Sequence, residues 1–236
     1  NRFQEIKEIE RESWVMLTNP TMDELVHISE DYQIDLDDLK SALDPEERSR
    51  LENEENYTMI LVNIPVVEEE NEKKWYETIP LGIFITRKIV FTVCLEETNI
   101  LKQFVDGLVP GFYTYMKTRF VYQILYNNAS LFLHYLRIID QRANQIEELL
   151  HETSKNSDLI QLYDLEKCLV YFTTALKSNE VVLEKLRKHI GLRHYEEDQE
   201  LLEDVIIENK QAIEMSYIYH NILRSTMSLF GAIIDN

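Results

Sequence analysis

Glycine and proline are scarce in this 236-residue chain, with five of each. So few turn residues disfavour an all-β sandwich or barrel and exclude collagen-like or linker-dominated chains. The two cysteines, Cys94 and Cys168, lie inside apolar runs and neither has a CxxC partner. That arrangement speaks against a disulfide framework or zinc knuckle and fits buried, reduced thiols. Basic residues are also few: 24 Lys and Arg stand against 43 Asp and Glu, for a formal net charge of −19. Duplex nucleic acid needs cationic side chains to neutralise its phosphates, so it is not an expected partner. The acidic excess suits cations or a basic surface, and equally serves plain solubility. No run reaches the roughly 18–20 apolar residues of a membrane span; the longest near the end is Met227 to Ile234. No signal peptide is visible. The chain begins without Met and breaks off at Asn236, so it reads as a piece of a longer protein. The lack of a span here does not extend to that parent.

Catalytic signatures are missing as well. Gly82, Gly107, Gly111, Gly191 and Gly231 are too dispersed for GxGxxG or a phosphate loop, and neither HExxH nor GxSxG occurs. His27, His134, His151, His189, His194 and His220 show no ligand-like i,i+4 pairing and are expected on helix surfaces or interfaces. No two carboxylates share a Gly-rich cleft for acid–base work. An enzyme is therefore not expected. Asn56-Tyr57-Thr58 and Asn128-Ala129-Ser130 match the glycosylation pattern, which matters only in a secreted protein.

What is present divides into two textures. Hydrophobic residues make up 44% and charged residues 28%, ordinary globular proportions with material for a core. Residues 1–113 mix short strand and helix signals. Glu12 to Leu17 reads as a strand, followed by a turn at Asn19-Pro20-Thr21. Thr21 with Glu24 makes a capping box for a helix reaching Asp31, and Asp35 to Leu43 reads as a second short helix stopped by Asp44-Pro45. Tyr57 to Val67, Trp75 to Arg87 and Ile89 to Leu95 are rich in Ile, Val, Thr and Phe and predict strands. Glu68 to Lys74 reads as a charged connection, and Thr98 to Leu108 as a further helix.

From residue 114 onward the pattern is helical. Val121, Leu125, Asn128, Phe132, Leu136, Ile139, Ala143, Ile146 and Leu150 recur every three or four residues. A second seam runs from Leu162 through Leu169, Leu176, Asn179 and Leu186 to Ile190. A third takes Leu201, Val205, Glu208, Ala212, Met215, Tyr219, Ile222 and Thr226. These heptad seams predict three helices of roughly 30–40 residues, about 45–60 Å each, with breaks near Thr153 to Ser157 and at Gly191. The expected class is α+β: an N-terminal α/β/α sandwich with a mixed sheet (1–113), then a bundle of long helices (114–236) ending in a stalk helix (195–236).

The last helix carries a second stripe. Asn221, Ser225, Ser228, Ala232 and Asp235 are spaced 4, 3, 4, 3. A solvated face usually bears Lys and Glu, whereas small polar residues in register suit a tight helix–helix contact, or copies of one helix around water or an ion. Upstream, Asp204 and Glu208 are i and i+4 among Glu196, Glu197, Asp198, Glu200 and Glu203. Carboxylates are hard-oxygen ligands for Mg²⁺ or Ca²⁺, and acids at a helix start also complement its macrodipole.

Together these features resemble the cytoplasmic part of the CorA family of magnesium and cobalt transporters, over nearly the whole chain. Asn19 to Pro65 is similar to the family's helix–helix–strand segment, and LLEDVIIENKQAIEM (Leu201 to Met215) to its stalk helix. The resemblance implies a homopentamer in the cell membrane, with this part on the cytoplasmic side and the Gly-Met-Asn tripeptide and membrane spans beyond Asn236. It implies passive flow of Mg²⁺, and of Co²⁺ or Ni²⁺, gated by Mg²⁺ held between subunits. Asp204 matches the acidic stalk ligand of that regulatory site. Its partner pair falls on Lys40 and Ser41, and a further carboxylate near Tyr126, none of them acidic. The site is therefore lost, or rebuilt from Asp37, Asp38, Asp44 or Glu208. The family's pore-lining stalk positions match Asn221, Ser225, Ser228 and Asp235. The sister zinc transporters would share the fold, though no Cys/His cluster favours zinc. A soluble acidic helical scaffold binding basic partners is the reading from another class.

Overall fold

The computed structural model describes residues 3–189 and 195–236; Ile190, Gly191 and His194 lie outside the described residues. Strand β1 (Trp14–Thr18) leads to helices α1 (Met22–Tyr32) and α2 (Leu36–Ser41). Strands β2 (Arg50–Asn53), β3 (Tyr57–Glu70), β4 (Lys73–Thr86) and β5 (Val90–Cys94) follow, then α3 (Asn99–Val105). Three long helices complete the chain: α4 (Lys117–Thr153), α5 (Asn156–Lys188) and α6 (Glu196–Asp235). The strands form one mixed sheet in the order β1-β5-β4-β3-β2, with β1 parallel to β5 and the other pairs antiparallel.

Strand alternation explains the layers. Successive side chains point to opposite faces. On one face Met59, Leu61, Phe84, Phe91 and Val93 pack with Leu25, Ile28, Ile34 and Leu39 of the α1–α2 region. On the other, Ile60, Val62, Ile64, Ile83 and Val90 pack with Phe104 of α3, Phe120 and Ile124 of α4, Val182 and Leu186 of α5, and Leu202 and Val205 of α6. This is an α/β/α sandwich whose second helical layer is the long-helix bundle itself, so the core continues past residue 113. Gly82 is needed where α2 closes on the sheet: a Cβ there would stand 2.6 Å from that of Ala42.

Local signals act as expected in several places. The Thr21 side chain accepts from the Glu24 N–H while Glu24 reaches back to the Thr21 N–H, so the capping box at α1 is complete. Asp35 and Thr98 cap α2 and α3. Both cysteines are free and buried. Asn128 of the second glycosylation pattern is 4% exposed, sealed inside the helical layer.

Two readings change. Glu68 to Lys74 is strand almost throughout: β3 and β4 run to a two-residue turn, with Asn71 (φ 53) and Glu72 (φ 64) both left-handed. Glu69 stands opposite Lys74 and Glu70 opposite Lys73, so opposite charges face each other at the end of the ladder. Strand β2 (RLEN) was not expected, because it is short and carries no apolar alternation; it exists as an edge paired to β3.

The third helical seam is also displaced. The buried residues of α6 are Asp198, Leu202, Val205, Ile206, Asn209, Ala212, Ser216, Leu223, Met227 and Phe230. Ile222, assigned to the seam by spacing, is 51% exposed, while Leu223 is 3% exposed. The cause is that apolar residues on α6 come in neighbouring doublets, so their spacing alone permits two faces.

Candidate ion-path face and carboxylate cluster

Helix α6 lies between α4 and α5 and contacts both along its length. Its start is fixed by charge. Arg119 Nε lies 3.0 Å from Asp198 Oδ1 and its Nη2 lies 2.7 Å from Glu197 Oε2. Asp198 is 2% exposed, and Arg187 of α5 pairs with Glu203 at 2.8 Å. Three of the acids around the helix start are thus engaged in anchoring it.

Asp204 is not engaged in this way. It is exposed, and it heads a line that recurs every three or four residues down the helix: Ile207, Gln211, Glu214, Ile218, Asn221, Ser225, Ser228, Ala232 and Asp235, all exposed. The small polar stripe found by spacing is the lower half of this longer line. Exposed Ile222, Leu229 and Ile233 flank it. A helix with an apolar seam on one side normally presents a charged face on the other; here the outward face is mostly uncharged and partly apolar. Glu208 stands apart from the line. It is half-buried and its Oε2 lies 3.5 Å from Ser130 Oγ on α4.

Carboxylates gather elsewhere. Among the described residues, Asp38, Glu52 and Glu54 bring their oxygens within 4.8 Å of one another, at α2 and the edge of the sheet. Asp38 Oδ2 accepts the Tyr57 hydroxyl at 2.5 Å, and Arg50 Nε lies 2.8 Å from Glu52 Oε1. Burial, with the bond to Asp38, pushes the Tyr57 phenol well above its ordinary value. It therefore remains a proton donor to Asp38 throughout the physiological range. Hard oxygens in this number suit Mg²⁺ or Ca²⁺. Asp38 is among the replacement ligands the sequence suggests, and Glu52 and Glu54 are not. Their proximity depends on β2, which the sequence did not announce. Lys40 and Ser41 take no part: Ser41 Oγ receives Arg50 Nη2 at 3.0 Å and donates to the Asp37 carbonyl at 2.9 Å.

Buried amides position the helices. Asn179 Oδ1 accepts from Ser49 Oγ at 2.8 Å and from Asn63 N at 2.9 Å, while Asn179 Nδ2 donates to the Asn63 carbonyl at 2.8 Å. Asn128 Nδ2 donates to the same carbonyl at 3.0 Å. Both asparagines lie on the expected seams, and both tie a long helix to β3. No described helix is long and apolar enough to cross a membrane.

A family model described as CorA-like Mg²⁺ transporter protein matches residues 10–236. A curated relative, the cobalt/magnesium transport protein CorA of Methanocaldococcus jannaschii, is 27% identical over 225 residues, covering 92% of this chain and 68% of the relative. The structure of the soluble domain of CorA from the same organism gives a TM-score of 0.80 at 26% identity, over 91% of this chain and 86% of that one. The complete structure of that organism's CorA magnesium transporter gives 0.85 at 23% identity, over 99% and 74%. The ZntB cytoplasmic domain from Vibrio parahaemolyticus gives 0.69 at 12% identity, over 94% and 86%, a likeness of fold alone.

Proposed function

The chain belongs to the CorA-like Mg²⁺ transporter family, and on that premise we propose that it is the cytoplasmic regulatory part of a divalent-cation channel. In this reading five copies assemble at the inner face of the cell membrane and pass Mg²⁺, with Co²⁺ or Ni²⁺ as further cargo, down its gradient. The observation that carries the reading is the outward line on α6 from Asp204 to Asp235, polar and apolar by turns and poor in charge. Such a face is suited to packing on copies of itself. Asn221, Ser225, Ser228 and Asp235 then offer amide, hydroxyl and carboxylate oxygens to a hydrated ion along the axis.

Gating follows from charge. Each subunit carries −19, so assembly brings acidic surfaces together and Mg²⁺ between them offsets the repulsion. Asp204 supplies one side of an interfacial site, with Glu208 behind it. The Asp38, Glu52 and Glu54 cluster of a neighbouring subunit is the candidate for the other side. Mg²⁺ keeps several of its waters, so one or two carboxylates from each side suffice. Loss of Mg²⁺ loosens the packing and opens the path.

The all-carboxylate composition of that cluster favours a hard cation over Zn²⁺, which prefers nitrogen and sulfur donors. The test is metal uptake by lipid vesicles containing the intact transporter. Uptake of Mg²⁺ and Co²⁺ is expected to exceed that of Zn²⁺. Uptake of Zn²⁺ with none of Mg²⁺ would transfer the chain to the zinc-transporting reading.

A further inference from the structure

The β3–β4 hairpin outruns its neighbours. Strand β2 pairs only with Thr58 to Leu61 and β5 only with Leu81 to Ile85, so from Asn63 and Pro80 to the turn the hairpin is a two-stranded arm. Two strands alone hold poorly in water, and Tyr76 seats this arm on α4 and α5. Tyr76 is 5% exposed, and its ring centroid stands 5.3 Å from that of Tyr135 and 6.0 Å from that of Phe172. Its N–H donates to Cys168 Sγ at 3.4 Å. Beside Tyr76 the arm and the two helices leave a groove of about 830 Å³, within the ~300–1,000 Å³ range of small-molecule sites.

The groove has two characters. Buried Ile146 and Leu165 and half-buried Ile138 give it an apolar lining, and Trp75 and Tyr171 add aromatic rings. The Trp75 indole donates to Glu77 Oε1 at 3.1 Å, which fixes that ring, and Tyr171 is 51% exposed, open to a ligand. Lys73, Lys74, Arg142 and Lys167 bring four cations to the same groove, against Glu72, Glu77 and Asp164. This is a local cationic excess in a chain of −19. Among the described residues none of the four cations is in an ion pair. Lys73 and Lys74 stand opposite Glu70 and Glu69 on β3, so Arg142 and Lys167 are the less compensated pair. Arg142 is held by neutral groups: Nη1 donates to Gln145 Oε1 at 3.4 Å and Nη2 to Gln161 Oε1 at 3.0 Å across the helix pair. Its fork is positioned while its charge stays uncompensated, an arrangement suited to a phosphate. A larger groove of about 890 Å³, where β3 begins and β4 ends beside the starts of α4 and α6, differs in this respect. There Lys117 donates to the Thr86 and Arg87 carbonyls and Arg119 pairs with Glu197 and Asp198, so structural partners already hold both cations.

We propose that the groove under the hairpin arm is a nucleotide-binding site. Tyr171 and Trp75 stack the base, which aromatic side chains do for any base, and Arg142 and Lys167 meet a di- or triphosphate. The lining residues come from the β3–β4 turn, β4, α4 and α5, with none on α6, so the site stands whether or not the channel reading does.

The test is calorimetric titration of this chain with ADP, with adenosine and with inorganic triphosphate. Chelator is present throughout, so that no bound Mg²⁺ carries phosphate to the Asp38 cluster. ADP is expected to bind once per chain and about tenfold or more tightly than either fragment, because both halves of the groove contribute. Arg142→Gln is expected to weaken ADP binding about tenfold, the loss of one charge-assisted pair. Tyr171→Leu is expected to weaken it by a similar factor through lost stacking, about tenfold, and to leave triphosphate binding unchanged. Both side chains are exposed, so the melting temperature should not move. Arg87→Gln, which removes an exposed cation from the larger groove, is expected to change nothing. No binding of ADP, triphosphate bound as tightly as ADP, full affinity in Arg142→Gln, or an equal loss in Arg87→Gln would overturn the proposal.

Discussion

Asp204→Ala is expected to abolish the Mg²⁺-dependent assembly of this chain. In millimolar Mg²⁺ the unaltered chain should approach five times its 28.1 kDa mass by light scattering, and in chelator it should fall toward the single-chain value. Asp204 is exposed, with the Asp198 and Glu203 carboxylates near it already engaged by Arg119 and Arg187. It therefore contributes little to the fold of one subunit, and its removal should leave the melting temperature of the isolated chain unchanged. Its role is across the interface, where each copy brings −19. Losing a direct ligand should raise the Mg²⁺ needed for half-assembly at least tenfold, since even outer partners of metal ligands alter affinity by about 10–100-fold. Added monovalent salt should partly rescue assembly by screening the acidic surfaces, which act over about 8 Å at physiological ionic strength. Equal mass in Mg²⁺ for both proteins would remove Asp204 from the interface.

Asn179→Ala should be the most destabilising single change at a polar residue, costing about 3 kcal/mol in a denaturant titration. The reason lies in the sheet. Asn63 stands opposite Pro80 on β4, which has no N–H to give, and β2 stops at Arg50, opposite Leu61. Asn179 takes the place of the missing strand, accepting from the Asn63 N–H and donating to its carbonyl. Alanine leaves a half-buried peptide N–H without its partner and opens a void between α5 and β3. Asn128→Ala should cost less, because the Asn63 carbonyl keeps its bond from Asn179. Equal effects would indicate that the asparagines act only by filling space.

The sequence made the main elements legible wherever one signal dominated. The Thr21–Glu24 box, the Asp35 and Thr98 caps, the β-branched runs of β3 to β5 and the long heptad seams each point to one conformation. It failed where apolar pattern was silent or double. Strand β2 is held by pairing with β3 rather than by its own residues, so RLEN carried no mark, and Glu52 and Glu54 went unnoticed with it. The face of α6 was misplaced by one residue because spacing alone reads its apolar doublets in two registers, and Asn209 and Ser216, buried on the observed face, carry no apolar mark. The outward line was nonetheless found in its lower half, because small polar residues at heptad spacing do not depend on which apolar seat is chosen. Its continuation through Ile207, Gln211, Glu214 and Ile218 up to Asp204 emerged only from exposure along the helix.

The central claim is that this outward line faces the ion path. The most direct measurement is Mg²⁺ uptake by vesicles containing the intact transporter with Ser228→Cys, before and after treatment with a bulky thiol-reactive cation. Tyr171→Cys, exposed on α5 in the groove it lines with Trp75 and Arg142, serves as the control. The account predicts that modification at position 228 stops uptake while modification at 171 leaves it unchanged. Full uptake through the modified Ser228→Cys protein would contradict it.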